Sequence, residues 1–301
     1  GLGRMMALAV VCIVLGAIVA TVTVWSLKQQ TPLPLSHFPI GLPPNQTLAS
    51  DKADIAVSPN GKRLVYGAQV GGVCWLYLRE RDQSMSKVLP GTKGAYNPFF
   101  SPDGQSIGFG NSGKLMTLSL NGGRPKEVCD ASDLLGGCWG ADGMIYFTPS
   151  ATSGVWRISA DGGAPEVLTS PKSDEGEFSH WWPEVLPGGE AILFTIWRSD
   201  LDDFSIAVLE LSTGQWKTLL IGGSHARYTP TGHLLYGQAG ALWAAPFDLE
   251  HLRLGKPRRP VLENVNQSIF NGCAPFCFSD DGMLYYVRGG LWLARHKLVW
   301  V

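Results

Sequence analysis

The chain has 301 residues, with 24 basic and 25 acidic side chains and a formal net charge of −1. Charged residues make up 16% of it and aromatic residues 10%, and 37 glycines and 20 prolines interrupt the sequence throughout. The aromatic content is enough to build a core, which argues against intrinsic disorder, and the balanced charge gives no electrostatic footprint for nucleic acid. No nucleic-acid partner is therefore expected.

The first predicted element is a membrane-spanning helix over residues 5–27. These 23 residues (MMALAVVCIVLGAIVATVTVWSL) contain no charged side chain. At about 1.5 Å per residue, such a helix crosses the roughly 30 Å hydrocarbon core of a bilayer. The apolar run is longer than that of a secretory signal and no cleavage site is visible, so we expect a retained anchor. Because the chain begins at Gly1 and stops inside a repeat, we also expect it to be a fragment.

A proline-rich spacer follows over residues 28–47. Its prolines exclude a helix and hold the chain extended. Within it, residues 38–42 (FPIGL) alternate enough to form an edge strand, where a proline is tolerated. We expect this strand to pair with the last repeat, whose late strand is residues 298–301 (LVWV), and so to close the fold on itself.

One tight-turn signature recurs over the rest of the chain. Its clearest copies are Ser58-Pro59-Asn60-Gly61 and Ser101-Pro102-Asp103-Gly104. Weaker copies end at Gly143, Gly189, Gly232 and Gly282, and successive final glycines lie 39 to 50 residues apart. That spacing is typical of one four-stranded β-propeller blade, so six turns predict six repeats.

The residues around each turn read as short strands in a meander. A β-rich segment follows every turn, as in residues 63–66 (RLVY) and 191–195 (AILFT). A second hairpin turn lies farther along, at Asn121-Gly122, Asp161-Gly162 and Thr213-Gly214. The sequence therefore predicts an all-β fold over residues 48–301, a propeller of about six four-stranded antiparallel blades with a truncated last repeat. One transmembrane helix is expected before it.

These turns, each followed by an aliphatic-aromatic strand, resemble the WD-type repeats of TolB-like propellers. The order of apolar span, spacer, residues 38–48 (FPIGLPPNQTL) and repeats resembles the region after the kinase domain of membrane-anchored bacterial serine/threonine kinases. This resemblance implies a cytoplasmic kinase domain before residue 1, with residues 1–4 ending its cytoplasmic segment and the propeller outside the cytoplasm. The sequence itself contains no Gly-rich nucleotide loop and no His-Arg-Asp motif, so no kinase activity is expected of this chain.

Two serines fit nucleophile patterns only superficially. Ser106 lies in a G-x-S-x-G stretch but on a repeat strand, whereas the nucleophile elbow needs a strand-to-helix turn. Ser224 adjoins His225, but sequence neighbours on a strand point to opposite faces. We therefore expect no catalytic residue, no cofactor and no metal site.

The partner contacts are expected in departures from the repeat. The candidate partner-binding residues are His180, Trp181, Trp182, Asp200, Asp202 and Asp203. Packing is the alternative for the first three, and a solvated loop is the alternative for the aspartates. Cys129 and Cys138 are the only sequence-plausible disulfide; buried free thiols are the alternative.

Three functions remain open from the sequence. The preferred one is an extracytoplasmic sensor or protein-interaction propeller of a single-pass membrane protein, whose partner is an unknown protein or small ligand. The second is a TolB-like periplasmic scaffold, which would more naturally be a released protein. The third is the N-terminal propeller of a prolyl-oligopeptidase-type peptidase, which would require a hydrolase domain after Val301.

Overall fold

A computed structural model describes residues 38–48, 52, 54–198 and 203–292, together with the single positions 1, 3 and 16. Residues 1–41 and 42–301 form two compact units. In the first unit, residues 38–41 have no regular secondary structure, and the predicted span over residues 5–27 lies, apart from Gly16, outside the described residues. Within the described ranges, no helix combines the length and the apolar character needed to cross a bilayer.

The second unit is built from four-stranded antiparallel blades. Blade 1 contains β1 (Thr47–Leu48), β2 (Ile55–Val57), β3 (Arg63–Val70), β4 (Val73–Glu80) and β5 (Lys87–Val88). Blade 2 contains β6 (Tyr96–Phe100), β7 (Ser106–Asn111), β8 (Lys114–Ser119) and β9 (Lys126–Asp130). Blade 3 contains β10 (Gly137–Trp139), β11 (Met144–Phe147), β12 (Trp156–Ser159) and β13 (Glu166–Val167). In blade 1, β1 and β2 pair with successive parts of β3 and together act as one inner strand.

The next two blades follow the same meander. Blade 4 contains β14 (Glu177–Val185), β15 (Ala191–Arg198), β16 (Phe204–Glu210) and β17 (Gln215–Ile221), after a single turn of 3₁₀ helix at Ser173–Glu175. Blade 5 contains β18 (Ser224–Thr229), β19 (His233–Gln238), β20 (Ala241–Asp248), β21 (Arg253–Leu254) and β22 (Arg259–Leu262). The remaining strands are β23 (Gln267–Ser268), β24 (Phe276–Phe278), β25 (Leu284–Tyr286) and β26 (Leu291–Trp292).

All six repeat turns form as predicted. Their final glycines, at 61, 104, 143, 189, 232 and 282, have φ between 66° and 86°. The amide of each donates to the carbonyl oxygen three residues earlier, over 2.8 to 3.1 Å. Only glycine adopts this left-handed conformation without a steric cost, which is why the turn ends in glycine every time.

The expectation of six blades is wrong: the described residues form five. The sixth turn joins only the two-stranded hairpin β24–β25. The next strand, β26, pairs in parallel with β23 and therefore does not extend that hairpin. A repeat turn fixes the hairpin that it closes, but it does not fix where the following strand pairs.

The predicted strand over residues 38–42 is also absent from the structure. Among the described residues, the earliest strand is β1, where Thr47 and Leu48 pair with β3 of blade 1 rather than with the last repeat. A turn precedes it, in which the amide of Gln46 donates to the carbonyl oxygen of Pro43 over 2.9 Å. The predicted late strand over residues 298–301 lies outside the described residues.

Blade 1 and the sixth hairpin close the ring. The amide of Asp280 donates to the carbonyl oxygen of Pro59 over 2.8 Å. The Arg81 guanidinium lies 2.6 Å from the Asp281 carboxylate. Tyr285 of the hairpin packs on the apolar cluster of blade 1 that contains Leu64. Among the described residues, side-chain packing and one backbone–backbone hydrogen bond therefore close the ring, without a sheet shared between blade 1 and the sixth hairpin.

The core lies between neighbouring blades. Trp156 packs on the cluster shared by blades 2 and 3, and Trp243 packs on the cluster shared by blades 4 and 5. Trp75 is partly buried, and the side chain of Trp292 lies outside the described part of the chain. Each blade buries its faces against its neighbours, so the inner strands are held rigidly around the axis.

Candidate functional site

A cavity of about 440 Å³ lies where the inner strands meet. We call it the central channel. Its lining comes from β2, β6, β10, β14, β18 and β24, that is, from all five blades and the sixth hairpin. Concave sites of this size that combine aromatic walls with a few polar groups are typical of ligand pockets.

An ion pair lies in the wall of the channel. The Arg227 guanidinium of β18 bonds to the Glu184 carboxylate of β14, and the two side chains are 20% and 22% exposed. Burial alone would lower the pKa of Arg227, but the Glu184 carboxylate outweighs it and the pKa is raised. The guanidinium is therefore charged at neutral pH, and part of each side chain still faces the channel.

His225 adjoins this pair and is only 1% exposed. Burial, together with the Arg227 charge, holds the pKa of His225 well below its usual value, so the ring is neutral. Two donors approach its nitrogens: the amide of Ala274 at 3.1 Å from Nδ1 and Arg227 Nη2 at 3.3 Å from Nε2. A neutral imidazole has one acceptor nitrogen, so only one of these contacts is a full hydrogen bond.

Three channel residues share a strained backbone. Asn97, Trp182 and His225 have φ of 49°, 55° and 50°. Each lies at a register shift in its inner strand, four residues before the repeat turn begins. We call these three residues the bulge belt. Residues other than glycine adopt this backbone conformation at a cost of about 1–3 kcal/mol. Such backbone outliers concentrate at functional sites.

The bulge belt joins neighbouring blades. Asn97 Nδ2 donates to the carbonyl oxygen of Leu134 over 2.6 Å, and the amide of Asn97 donates to the buried Asp54 carboxylate over 2.9 Å. The Trp182 indole stacks on His225 with ring centres 4.8 Å apart and planes at 20°. The bulges thus direct these side chains across the boundaries between blades. The resulting contacts hold the residues at one end of the channel in place.

The structure describes four of the six predicted partner-binding residues. His180, Trp181 and Trp182 belong to β14 rather than to a loop, and all three are buried. Of these only Trp182 lines the central channel. Asp203 lies beside β16, with its carboxylate 3.9 Å from Arg198, whereas Asp200 and Asp202 fall outside the described residues.

His180 is the centre of a buried polar network. Its Nε2 lies 3.0 Å from Glu177 Oε2 and its Nδ1 lies 2.8 Å from Thr169 Oγ1. The order of hydroxyl, imidazole and carboxylate resembles a nucleophile with its base. However, Thr169 is 2% exposed and its hydroxyl oxygen accepts the amide of Val155 over 2.9 Å. The network therefore fixes the entry into blade 4 and is shut off from any substrate.

Within the described part of the chain, neither candidate serine has its hydroxyl hydrogen-bonded to a histidine or a carboxylate. The Ser106 amide and carbonyl bond to the hydroxyl of Ser101 inside the repeat turn. The buried Ser224 hydroxyl donates to the carbonyl oxygen of Gly272 over 2.6 Å and accepts from Gln267. Among the described residues, no three His, Cys, Asp or Glu side chains are grouped as metal ligands.

Burial changes the chemistry of three thiols of the propeller, those of Cys129, Cys138 and Cys277. Cys129 and Cys138, the pair that the sequence suggests as a disulfide, are separate thiols on β9 and β10. Burial raises the pKa of Cys129 to about 11 and that of Cys277 to about 12, and raises that of Cys138 still further. Cys138 and Cys277 both line the central channel.

We expect these thiols to react slowly in the folded protein. The thiolate is the nucleophile, and at pH values around 8 a raised pKa leaves little of it. Iodoacetamide followed by peptide mass spectrometry should modify Cys138 and Cys277 only after urea is added. The denatured protein, in which both react, is the control. Modification of Cys138 in the folded protein at the rate of a free thiol would contradict this burial.

Comparison with known proteins supports the fold. No family model matches the chain. No curated protein matches it either. Among solved structures, TolB from Acinetobacter baumannii superposes with a TM-score of 0.55 at 18% identity, covering 70% of this chain and 55% of that one. The fold is that of a TolB-like β-propeller. The match spans only about half of the TolB chain.

Proteins other than TolB share the same architecture. Hydrazine synthase of Kuenenia stuttgartiensis has a TM-score of 0.55 at 13% identity and covers 83% of this chain and 77% of that one. The Cps50 (Swd1) β-propeller domain of Myceliophteria thermophila has a TM-score of 0.55 at 14% identity, with coverages of 75% and 78%. Likeness at these identities establishes architecture alone, so function has to be inferred from the site itself.

The sequence reasoning missed the residues that define this site. Glu184, Arg227 and Asn97 belong to no catalytic or metal-binding motif, and His225 stands out only as the neighbour of Ser224. They do share positions relative to the repeat turns: Asn97 and His225 stand four residues before a turn, and Glu184 and Arg227 stand two residues before one. Aligning the repeats on their turns would have grouped these residues.

Proposed function

We propose that this chain is the ligand-sensing and protein-interaction module of a membrane-anchored protein and that it acts by binding, without catalysis. The observation that carries the proposal is the Arg227–Glu184 pair in the wall of the central channel. Charged groups placed at the centre of a propeller are costly to desolvate, and a ligand that completes their hydrogen bonds offsets that cost.

The channel supplies both recognition elements that a small ligand needs. Phe99, Trp139 and Tyr228 contribute aromatic surface, while Arg227 and Glu184 contribute opposite charges. A ligand that carries both a carboxylate and an amine, such as an amino acid or a peptide end, would pair with both charges. The rigid inner strands hold these groups in place before binding, which limits the entropic cost.

Channel binding is tested by charge removal. We expect a thermal-shift screen of the full chain with amino acids, dicarboxylic acids and short peptides to give a stabilising compound. Its dissociation constant should rise at least about tenfold in Arg227→Gln and in Glu184→Gln, since each change leaves the other charge unpaired. Arg157→Gln is the matched control, because Arg157 pairs with Glu166 on the outside of blade 3.

Two results would contradict this use of the channel. One is a ligand whose affinity is the same in both channel variants. The other is peptidase, esterase or phosphotransfer turnover that survives purification and is abolished by Ser106→Ala or Ser224→Ala. The second result would replace the binding module with an enzyme.

The membrane anchor and the kinase belong to the same proposal. Their support is the uncharged run over residues 5–27 and the spacer after it, in the order that resembles bacterial receptor-type serine/threonine kinases. In this arrangement the kinase domain precedes residue 1 and the propeller faces away from the cytoplasm. Ligand binding to the propeller outside the cytoplasm would then regulate phosphorylation in the cytoplasm.

Topology is tested with reporter fusions. We expect alkaline phosphatase fused after Val301 to be active in a bacterial host, because it folds only outside the cytoplasm, where its disulfides form. Deletion of residues 5–27 is the control and should abolish that activity. Activity only of a cytosolic reporter at the same position would reverse the orientation. The coding sequence upstream of Gly1 would show directly whether a kinase domain is present.

A released TolB-like scaffold is the second candidate. The superposition on TolB favours it at the level of fold. The uncharged run over residues 5–27 favours the anchored protein instead. Fractionation distinguishes the two, since the anchored protein stays in the membrane pellet after a high-salt wash.

A further inference from the structure

A second concave surface lies away from the central channel, between blades 4 and 5. It is an open groove of about 730 Å³ lined by Ile221, Tyr236, Gln238, Trp243, Lys256, Pro257 and Arg258. We call it the basic groove. None of these residues lines the channel, so the groove is independent of the function proposed above.

Two hydrogen-bond donors in the groove lack an acceptor. Tyr236 and Trp243 are directly opposed in the pairing of β19 with β20, so their side chains lie side by side on one face. The Tyr236 hydroxyl and the Trp243 indole Nε1 are both closed to solvent and bond to none of the described residues. Buried donors of this kind are usually satisfied, so two neighbouring exceptions point to an acceptor that comes from outside.

The charged side chains that line the groove are all basic. Lys256 and Arg258 line it, and no aspartate or glutamate does. Neither cation forms an ion pair with a described carboxylate. Burial raises the pKa of Tyr236, and the Arg258 charge opposes that rise, which places the guanidinium within electrostatic reach of the hydroxyl. Donors and cations therefore converge without a counter-charge.

An apolar wall completes the surface. Ile221, at the end of β17, is 74% exposed, and it faces the same groove as Trp243 and Pro257. A fully hydrated anion such as sulfate would gain nothing from this wall. A ligand that combines an acid group with an apolar body would use both parts.

We propose that the basic groove binds a small organic oxyanion, in which the acid group pairs with Lys256 and Arg258 and accepts from Tyr236 and Trp243 while the apolar body packs on Ile221. A carboxylate and a phosphate monoester each present two oxygens to the fork of an arginine, which favours either of them over a spherical ion. The Tyr236 hydroxyl and Trp243 Nε1 are closed to solvent, so the acid group reaches them only when the side chains that line the groove move apart.

Binding is tested on the full chain labelled with ¹⁵N-tryptophan, with benzoate and phenyl phosphate as the probes. The indole N–H signal of Trp243, assigned by its loss in Trp243→Phe, should move downfield and saturate as the probe is added, because the indole gains an acceptor. The double variant Lys256→Gln/Arg258→Gln should raise the dissociation constant at least about tenfold. Arg253→Gln, a basic residue of β21 outside the groove, is the matched control.

The two probes separate the sources of the acid group. Saturation by benzoate alone identifies a carboxylate ligand, saturation by phenyl phosphate alone identifies a phosphate monoester, and saturation by both supports a site for either. The proposal is overturned if neither probe moves the Trp243 signal. It is equally overturned if the signal moves identically in the double variant while the remaining indole signals show that the fold is unchanged.

Discussion

Replacing Gly154 with alanine should destabilise the propeller by about 3 kcal/mol or more, since the new methyl group has to displace backbone. A Cβ at this position would lie 1.8 Å from the carbonyl oxygen of Thr169 and 2.5 Å from its carbonyl carbon. The approach is close because the amides of Leu168 and Thr169 both donate to the carbonyl oxygen of Val155, over 2.9 and 3.1 Å. The free energy of unfolding, from urea denaturation, measures the loss.

Gly41→Ala is the control for this substitution. Gly41 has no left-handed φ and nothing within 4 Å of the position that a Cβ would take. The free energy of unfolding of this variant should lie within about 0.5 kcal/mol of the parent value. A loss below about 1 kcal/mol for Gly154→Ala would show that blade 3 can open at this crossing and that the contact does not fix the fold.

Removal of the Glu177 carboxylate should cost about 2–4 kcal/mol, because it leaves a buried histidine N–H without an acceptor. Glu177 is 3% exposed at its side chain and accepts from His180 Nε2 at 3.0 Å and from the amide of Lys172 at 2.9 Å. The variant is Glu177→Ala, measured by urea denaturation at neutral pH. Glu175→Ala is the matched control, since Glu175 forms an exposed ion pair with Lys172 in the same loop.

The Glu177 carboxylate should also make the stability of the propeller depend on pH. Burial would raise the pKa of Glu177, but the hydrogen bonds from His180 and from the Lys172 amide outweigh burial and lower it. Its stabilisation is therefore complete above the unfolded pKa of about 4.3 and is lost as the pH falls through the lower, folded value. Stability curves of the parent and of Glu177→Ala should converge in acid. Parallel curves over this range would show that the carboxylate does not contribute through its charge.

The repeat strands could be predicted from local chemistry. In residues 63–66, 106–109 and 191–195, a turn that only glycine completes is followed by β-branched, aliphatic and aromatic side chains. The structure confirms strands at Arg63–Val70, Ser106–Asn111 and Ala191–Arg198. The turn and the alternation of the strand act within a few residues, so no distant contact is needed to define them.

The candidate site could not be predicted in the same way. The bulge belt depends on an extra residue in an inner strand, and whether a strand bulges is decided by the strand that it pairs with. Arg227 and Glu184 are 43 residues apart in sequence, and their contact joins blades 4 and 5. Neither residue shows a motif on its own, and the pair exists only once blades 4 and 5 are packed.

The sequence by itself determined the β class, the four-stranded meander and the position of every repeat turn, because those features depend on backbone conformation and side-chain preference within one repeat. The tertiary structure alone decided how many blades are complete, since β26 pairs with β23 by a contact that no turn specifies. It also decided that His180 and Trp181 are buried while Arg227 reaches the channel. Inter-blade packing sets which side of a strand faces the axis, and that packing joins residues too far apart in sequence to leave a local signal.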